Sequence, residues 1–468
     1  MSDALWTGHE IAAAVHGTAS ADFAVNGVAF DSREIGSGDL FIALKGETTD
    51  GHRFLAQVAM SGAGGAIVSD ASNVPPGLPY VLVADTTAAL NALGCAARAR
   101  MQGVVIGVTG SVGKTGTKEA LADALARANK GRVHRSVKSY NNHTGVPLSL
   151  SRMPRDTKFG VFEMGMSAPG ELAALTRLVR PHVALVTAIA PAHSAFFPDE
   201  SAIADAKGEV FQGLEPNGTA ILPFDSPHYE RLLAAAKPYA AKMVSFGRSV
   251  GADVRARDVV HGEANGTYVN AVLPGAELSY SLSQPGEHWV SNSLAVIAAV
   301  QAAGGDLAAA GLALADMPGL AGRGARQMID IGSGEALLID ESYNANPASM
   351  AATLGQLGKE EAVRRLAVLG AMKELGEKSD GFHAALAEHI EAADLAVAIL
   401  VGPEMTALAK ALEGRRDFVH VPDCSAAIVA LDRLIAPGDA ILVKGSNSIG
   451  LSRLVAHLVE HHGQGGNA

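Results

Sequence analysis

The stretch Val104–Thr117, VVIGVTGSVGKTGT, constrains this chain more than any other. It opens with an apolar run, Val104 to Val108, of the kind a buried parallel strand requires. Gly110-Ser111-Val112-Gly113-Lys114-Thr115-Gly116 follows, and a helical pattern then runs from Lys118 to Ala128. Strand, glycine-rich turn and helix make a phosphate-binding loop. The glycines let backbone N–H groups turn inward around phosphate oxygens, and the helix N-terminus adds partial positive charge. In this reading Lys114 reaches the β- and γ-phosphates, and the Thr115 hydroxyl holds Mg²⁺. The longer pattern G-x-x-x-x-G-K-[ST] is incomplete, because its first Gly is Val108 here; the shorter G-x-x-G-K-T is intact. The competing reading is a Gly-rich surface turn that carries a Lys, and the correct flanking by strand and helix argues against it. A nucleotide site alone does not name a reaction.

At 468 residues the chain is too long for one core, and about three domains are expected. It is 48% hydrophobic and 18% charged, which suits a helix-rich α/β enzyme and excludes a disordered chain. A net charge of −11 argues against nucleic acid as a partner, though not against an anionic substrate met by local Lys and Arg. Cys95 and Cys424 each sit in an apolar pattern, so two buried free thiols are expected. No zinc spacing or disulfide framework appears, which fits a reducing cytosol. The N-terminus has no basic segment before an apolar core, so no signal peptide is expected. Apolar runs such as Leu395–Val401 are far shorter than the about 20 residues that span a bilayer. The chain is therefore read as cytoplasmic and not membrane-embedded.

The expected fold is α/β in three domains. Residues 1–102 form a small N-terminal α/β domain, with helices over Leu5–Val15 and Thr86–Arg100 around short strands. Two polar clusters follow strands there: Asp31-Ser32-Arg33 and Lys45 to His52. Ser, Thr, Arg and backbone amides suit a diphosphate, while an ordinary polar loop is the alternative. Residues 103–321 form a central P-loop domain. A strand at Phe159–Phe162 ends in Glu163, a carboxylate well placed beside a phosphate loop to hold Mg²⁺. The next strand, Val183–Ile189, ends near His193, and the helix from Glu200 to Phe211 carries Lys207. By themselves His193 reads as a surface-loop histidine and Lys207 as a solvated lysine. Residues Ala252–Ser283 alternate apolar and polar around Asn265-Gly266, which predicts an antiparallel ribbon. Asn292 interrupts the apolar face of the helix His288–Ala303. It needs partners, which a purine edge or the core could supply. Residues 322–468 alternate strand and helix, the pattern of a Rossmann-like, doubly wound parallel sheet with function at the carboxyl ends of its strands. Asn346-Pro347 there is a good N-cap and N1 pair.

Together these pieces resemble the Mur ligases, ATP-dependent amide-forming enzymes of peptidoglycan precursor synthesis. The resemblance runs from about Val25 to Leu458. GSVGKT, the EMG at Glu163, the AKGE at Lys207, the His288–Asn292 helix and the GRGAR at Arg323 are features of the whole family. DSREIGSGDLFIALKGETTDGHRF resembles the uridine-diphosphate domain of members acting third and fourth in the pathway. DESYNANPASM, with VLGAMKELGEKSDGFH and LVKGSNSIGL, resembles members that add D-alanyl-D-alanine to UDP-N-acetylmuramoyl-tripeptide.

The resemblance implies an acid–amino-acid ligase in which ATP phosphorylates the tripeptide carboxylate and the D-alanyl-D-alanine amine attacks the acyl phosphate. It implies that Gly110, Ser111, Val112, Gly113, Lys114, Thr115 and Gly116 wrap the ATP phosphates. Thr115 and Glu163 would hold the first Mg²⁺, with His193 holding a second and Lys207 acting nearby. In several members the matching lysine is carbamylated, which makes it a metal-binding carboxylate. Asn292 would meet adenine, and Arg323 and Asp340 would contact ATP from the third domain. Ser32, Arg33, Thr48 and Thr49 would meet the uridine diphosphate, and Asn142 the peptide end of that substrate. Tyr343, Asn344 and Lys444 would form the D-alanyl-D-alanine side. A monomer is expected. Two departures stand out: Asn447 where relatives commonly carry Arg, and Gly116 where they often carry Ser or Thr, the latter with little loss expected. The alternatives are a folylpolyglutamate synthase-like ligase, and a switch protein that closes on ATP without making a bond.

Overall fold

A computed structural model describes residues 4–46, 49–191, 196–262 and 266–462. Three sheets organise them. In the first, Thr18–Ala19, Tyr80–Leu82, Gly65–Val68, Asp39–Ile42 and Gly27–Ala29 lie side by side, parallel except at the first pair. The helix Gly8–Val15 starts on a capping box in which the Thr7 hydroxyl accepts from the Glu10 N–H and the Glu10 carboxylate accepts from the Thr7 N–H. The helix Thr86–Arg100 covers the sheet and is capped by Asp85.

The second sheet has nine strands. Val104–Thr109 lies inside it, between Phe159–Glu163 and Val183–Val186, and all three run parallel. The run of Val and Ile fits because both faces are covered by core. Gly107 lies in that run beneath the Met164 side chain, whose Cε is 2.5 Å from where a Cβ would stand. The ribbon expected over 252–283 has three strands, Val254–His261, Thr267–Leu273 and Ala276–Leu282. It extends the same sheet, with Val254 pairing in parallel with Lys242–Gly247. Asn265 lies outside the described residues.

The third sheet has the order Ala325–Asp330, Glu335–Glu341, Asp439–Lys444, Arg364–Gly370, Val397–Val401, Phe418–Val421. It is parallel except at its first strand, as a doubly wound sheet with an antiparallel edge. Helices on both faces build two separate apolar clusters. Asn346 caps the helix Pro347–Leu357, with Pro347 in its first turn.

The helix after the phosphate loop begins at Lys114, four residues earlier than its apolar pattern, because the loop itself delivers Lys114 and Thr115 into the first turn. The region 200–211 divides into an α-helix, Glu200–Gly208, and a 3₁₀ segment, Glu209–Gly213. Cys424 is buried, but Cys95 is exposed, which corrects the expectation of two buried thiols. Its helix packs through Leu90, Leu93 and Ala97, and position 95 falls on the opposite side.

Candidate active site

The phosphate loop closes as its glycines require. Gly110 has φ +147° and Gly113 φ +83°, conformations that favour glycine. A Cβ on Gly110 would come within 2.0 Å of Thr187 Oγ1. That hydroxyl donates to the Val112 carbonyl at 2.6 Å and so fastens the loop to the neighbouring strand end. Lys114 Nζ lies back over the loop and donates to the Gly110 carbonyl at 2.6 Å. Burial pushes its pKa down, opposed by the nearby Glu163 carboxylate.

Thr115 Oγ1 donates to Glu163 Oε2 at 2.7 Å. Asn141 Nδ2 donates to the other carboxylate oxygen at 2.7 Å, and Glu163 is fully buried. A hydroxyl and a carboxylate side by side are both hard oxygen donors, a set that fits Mg²⁺. Among the described residues no cluster of three His, Cys, Asp or Glu side chains completes an all-protein metal site. His193 lies outside the described residues, as does Thr48.

Lys207 is not solvated. It is fully buried, and its Nζ has no hydrogen-bond partner among the described residues. Burial drives its pKa well below the usual lysine value, and the nearby Lys114 charge pushes the same way. A buried amine whose pKa is depressed by desolvation is therefore set near Glu163 and Lys114.

Lys114, Glu163 and Asn141 border a cavity of about 670 Å³ between the central and C-terminal domains, while Thr115 and Lys207 lie behind them and do not line it. Ser111, Val112, Gly113, Lys114, Gly116, Asn142, Glu163 and Asn292 line the central side, and Arg323, Tyr343, Asn344 and Lys444 the other. The Asn292 amide lies against Gly113, where a Cβ would come within 3.0 Å of Oδ1. Arg323 lies 4.2 Å over the Tyr343 ring and donates from Nη2 to Ser139 Oγ at 3.0 Å, so it crosses between domains. Lys444 is buried and donates to Glu341 Oε2 at 3.2 Å and to the Asn344 carbonyl at 3.0 Å.

Other expected site residues stand apart from this cavity. Asp340 is buried, and its oxygens are occupied by the Gly322 N–H at 2.6 Å and by the Ser342 N–H and hydroxyl at 3.1 and 2.6 Å. It clasps the segment that carries Arg323 and does not border the cavity. Ser32, Arg33 and Thr49 belong to the N-terminal domain and do not line it either. Arg33 is exposed and forks onto Asp31 at 2.9 and 2.6 Å, holding that carboxyl down to about 2. Asn447 is exposed and outside the lining.

Among the lining residues that sequence reasoning did not assign to the site, Ser139 and Asn141 lie just before Asn142, Glu341 follows Asp340, and Trp289 follows His288. Only the chain's path brings them to the cavity. Glycine at 116, where relatives often carry Ser or Thr, also has a local reason in this chain, because a Cβ there would meet Trp289 Cη2 at 2.9 Å.

A phosphate loop facing a second, doubly wound domain across a cavity is the build of a nucleotide-dependent ligase. Residues 24–108 match the Mur ligase family catalytic domain, residues 108–300 the Mur ligase middle domain, and residues 327–447 the Mur ligase glutamate ligase domain. The chain is 36% identical over 446 residues to the UDP-N-acetylmuramoyl-tripeptide–D-alanyl-D-alanine ligase of Synechocystis, covering 94% of this chain and 93% of that protein. The enzyme of that name from Escherichia coli is 34% identical over 447 residues, covering 94% and 95%. A crystal structure of MurF from Acinetobacter baumannii superposes with a TM-score of 0.83 at 31% identity, over 97% of this chain and 99% of that one. The Thermotoga maritima MurF ligase in complex with ADP superposes at 0.75 and 26% identity, over 93% and 97%. The chain belongs to the Mur ligase family and is an ATP-dependent ligase.

Proposed function

We propose that this chain joins D-alanyl-D-alanine to UDP-N-acetylmuramoyl-tripeptide in peptidoglycan precursor synthesis, releasing ADP and phosphate. One observation carries the reading. The phosphate loop and the Tyr343–Asn344 segment face each other across one cavity, in a chain alike over nearly its whole length to ligases of that name.

The physical problem is to gather several anions in one cleft. A carboxylate oxygen of the tripeptide attacks the γ-phosphorus and ADP leaves. The neutral amine of D-alanyl-D-alanine then attacks the acyl carbon, and phosphate leaves as the tetrahedral intermediate collapses. Backbone N–H groups from Gly110 to Gly116 hold the phosphates, and Lys114 offsets charge on the transferring group. Thr115 and Glu163 would hold Mg²⁺, which when bound would supply Lewis-acid polarisation and charge neutralisation there. Arg323 brings a second cation from the C-terminal side, clasped in position by Asp340. Tyr343, Asn344 and Lys444 form the amine-substrate side, and Asn142 faces the peptide end of the nucleotide substrate. Ser32, Arg33 and the loop at Thr48 and Thr49 hold the uridine diphosphate. Lys207, buried with a depressed pKa and unpartnered among the described residues, is suited to take up CO₂ as a carbamate and become an oxygen donor beside the metal. Closure of the C-terminal domain excludes water from the acyl phosphate. The enzyme acts in the cytoplasm as a monomer; among the described residues no helix is long and apolar enough to cross a membrane.

The test is phosphate release with ATP and Mg²⁺, with each substrate added singly and then together, the tripeptide offered in diaminopimelate and lysine forms. Release that needs both substrates, with a UDP-pentapeptide product by mass, supports the reading. ATP binding without product from either form overturns it in favour of a switch protein.

A further inference from the structure

The chain has two tryptophans. Trp6 is a core residue. It is buried, its indole N–H donates to the Ser151 carbonyl at 2.8 Å, and the Arg100 guanidinium lies 3.6 Å over its ring. Trp289 is as deeply buried but placed differently. It is the third residue of the helix Glu287–Ala302, and Gly116 is the third residue of the phosphate-loop helix Lys114–Ala128. The two meet, so that a Cβ on Gly116 would come within 2.9 Å of Trp289 Cη2 and 3.2 Å of Cζ2. The Trp289 indole N–H has no partner among the described residues. Its ring borders the large cavity together with His288 and Asn292. It also borders a smaller pocket of about 40 Å³ that runs toward Gly324 and Thr353 of the C-terminal side.

The neighbourhood is suited to a flat heteroaromatic ligand. His288 lies with its ring 6.1 Å from that of Trp289, and burial lowers its pKa, so it stands as a neutral ring. Ala352 and Thr353 line the cavity from the C-terminal helix Pro347–Leu357. Backbone amides of the loop are the phosphate donors, and the part of a nucleotide beyond the phosphates is ribose and base. Beside the start of the phosphate-loop helix, the wall is therefore a π-surface with one unused donor. We infer that Trp289 contacts the nucleoside half of ATP, and that position 116 is glycine because the indole occupies the space a side chain would fill. This rests on the ATP-dependent reading above. A Trp289 that served only to pack the core would leave nucleotide binding unchanged.

The test uses the full chain and ADP as the probe. In wild type and in Trp6→Phe, ADP changes the tryptophan emission saturably; in Trp289→Phe, which keeps a ring against Gly116, it does not. Trp289→Leu raises the KM for ATP about ten-fold, the order of a lost stacking contact, and leaves the KM values for both other substrates unchanged. Gly116→Ser, which displaces the indole, also raises the KM for ATP. The double variant Gly116→Ser/Trp289→Leu is less impaired than the two single effects combined, because the clash is gone. Calorimetric ADP binding to Trp6→Phe with no emission change overturns the inference, as does an unchanged KM for ATP in Trp289→Leu. An emission change without phosphate release on adding both substrates overturns the ligase reading alone. No ADP binding by wild type overturns both.

Discussion

Thr115 Oγ1 donates to Glu163 Oε2 at 2.7 Å, joining the first turn of the phosphate-loop helix to the end of the adjacent parallel strand. The contact is made by sheet register. Glu163 pairs with Val108, so its carboxylate emerges beside the start of the loop, and the Asn141 amide holds its second oxygen. A hydroxyl, a carboxylate and a supporting amide are thus fixed before any ligand arrives.

Glu163→Gln keeps the shape and removes the charge. Phosphate release is expected to fall by about 10²–10³, the usual cost of losing one transition-state electrostatic contact. Release measured across a Mg²⁺ series is the check, and an unaltered Mg²⁺ dependence would remove Glu163 from the metal.

Asn141 acts through Glu163. Asn141→Ala should weaken apparent Mg²⁺ affinity by about 10–100-fold, as loss of a supporting hydrogen bond does, with kcat recovering at high Mg²⁺. The separation of the two parameters distinguishes this from a folding defect.

Arg323 reaches Ser139 across the domain boundary and stacks on Tyr343. Arg323→Ala should lower kcat by about 10² or more through loss of a cation facing the phosphates. Ser139→Ala removes only the hydrogen bond and should lower it by less than about ten-fold. Equal losses in the two variants would place the role of Arg323 in docking the domains.

Lys207→Met should abolish ligation and raise the melting temperature. A buried amine without a partner costs about 1–3 kcal/mol, and each kcal/mol shifts a domain of this size by about 2–4 °C. The sign with pH follows from the lowered pKa. Below the ordinary lysine value the unfolded chain binds a proton that the native amine lacks, so wild-type stability rises with pH toward that value. The advantage of Lys207→Met therefore shrinks as pH rises. Melting curves in bicarbonate-free buffer at several pH values decide the point.

Cys95 is exposed and Cys424 buried, and burial of each thiol group raises its pKa. Native protein should take up one equivalent of a thiol reagent, faster as pH rises, and the unfolded chain two. Two rapid equivalents in the native state would contradict the packing of the helix Cys424–Asp432.

The phosphate loop was legible because its information is local: a run of β-branched residues, glycines where φ is positive, and a helix directly after. The strand–helix alternation from Ala336 onward was legible for the same reason. Asp340 shows where that reasoning stops. The resemblance assigned it to ATP, and only the fold shows that its Oδ2 accepts from the Gly322 N–H and its Oδ1 from the Ser342 N–H and hydroxyl. Gly116 shows the same limit. Its neighbours in sequence place no demand on it, and Trp289 does, from 173 positions away along the chain.

The sequence by itself determined three α/β units and the anion-binding loop, because periodicity and turn chemistry act over a few residues, and the class of ligase followed from the resemblance of its motifs to those of the Mur ligases. Tertiary structure alone decided that Lys207 is buried rather than solvated. It also decided that Asn141 supports Glu163, that Arg323 bridges to Ser139, and that an indole closes over Gly116. Each of these depends on desolvation or on contact between segments remote in sequence. Burial and distance come into being only when the sheets stack and the domains meet.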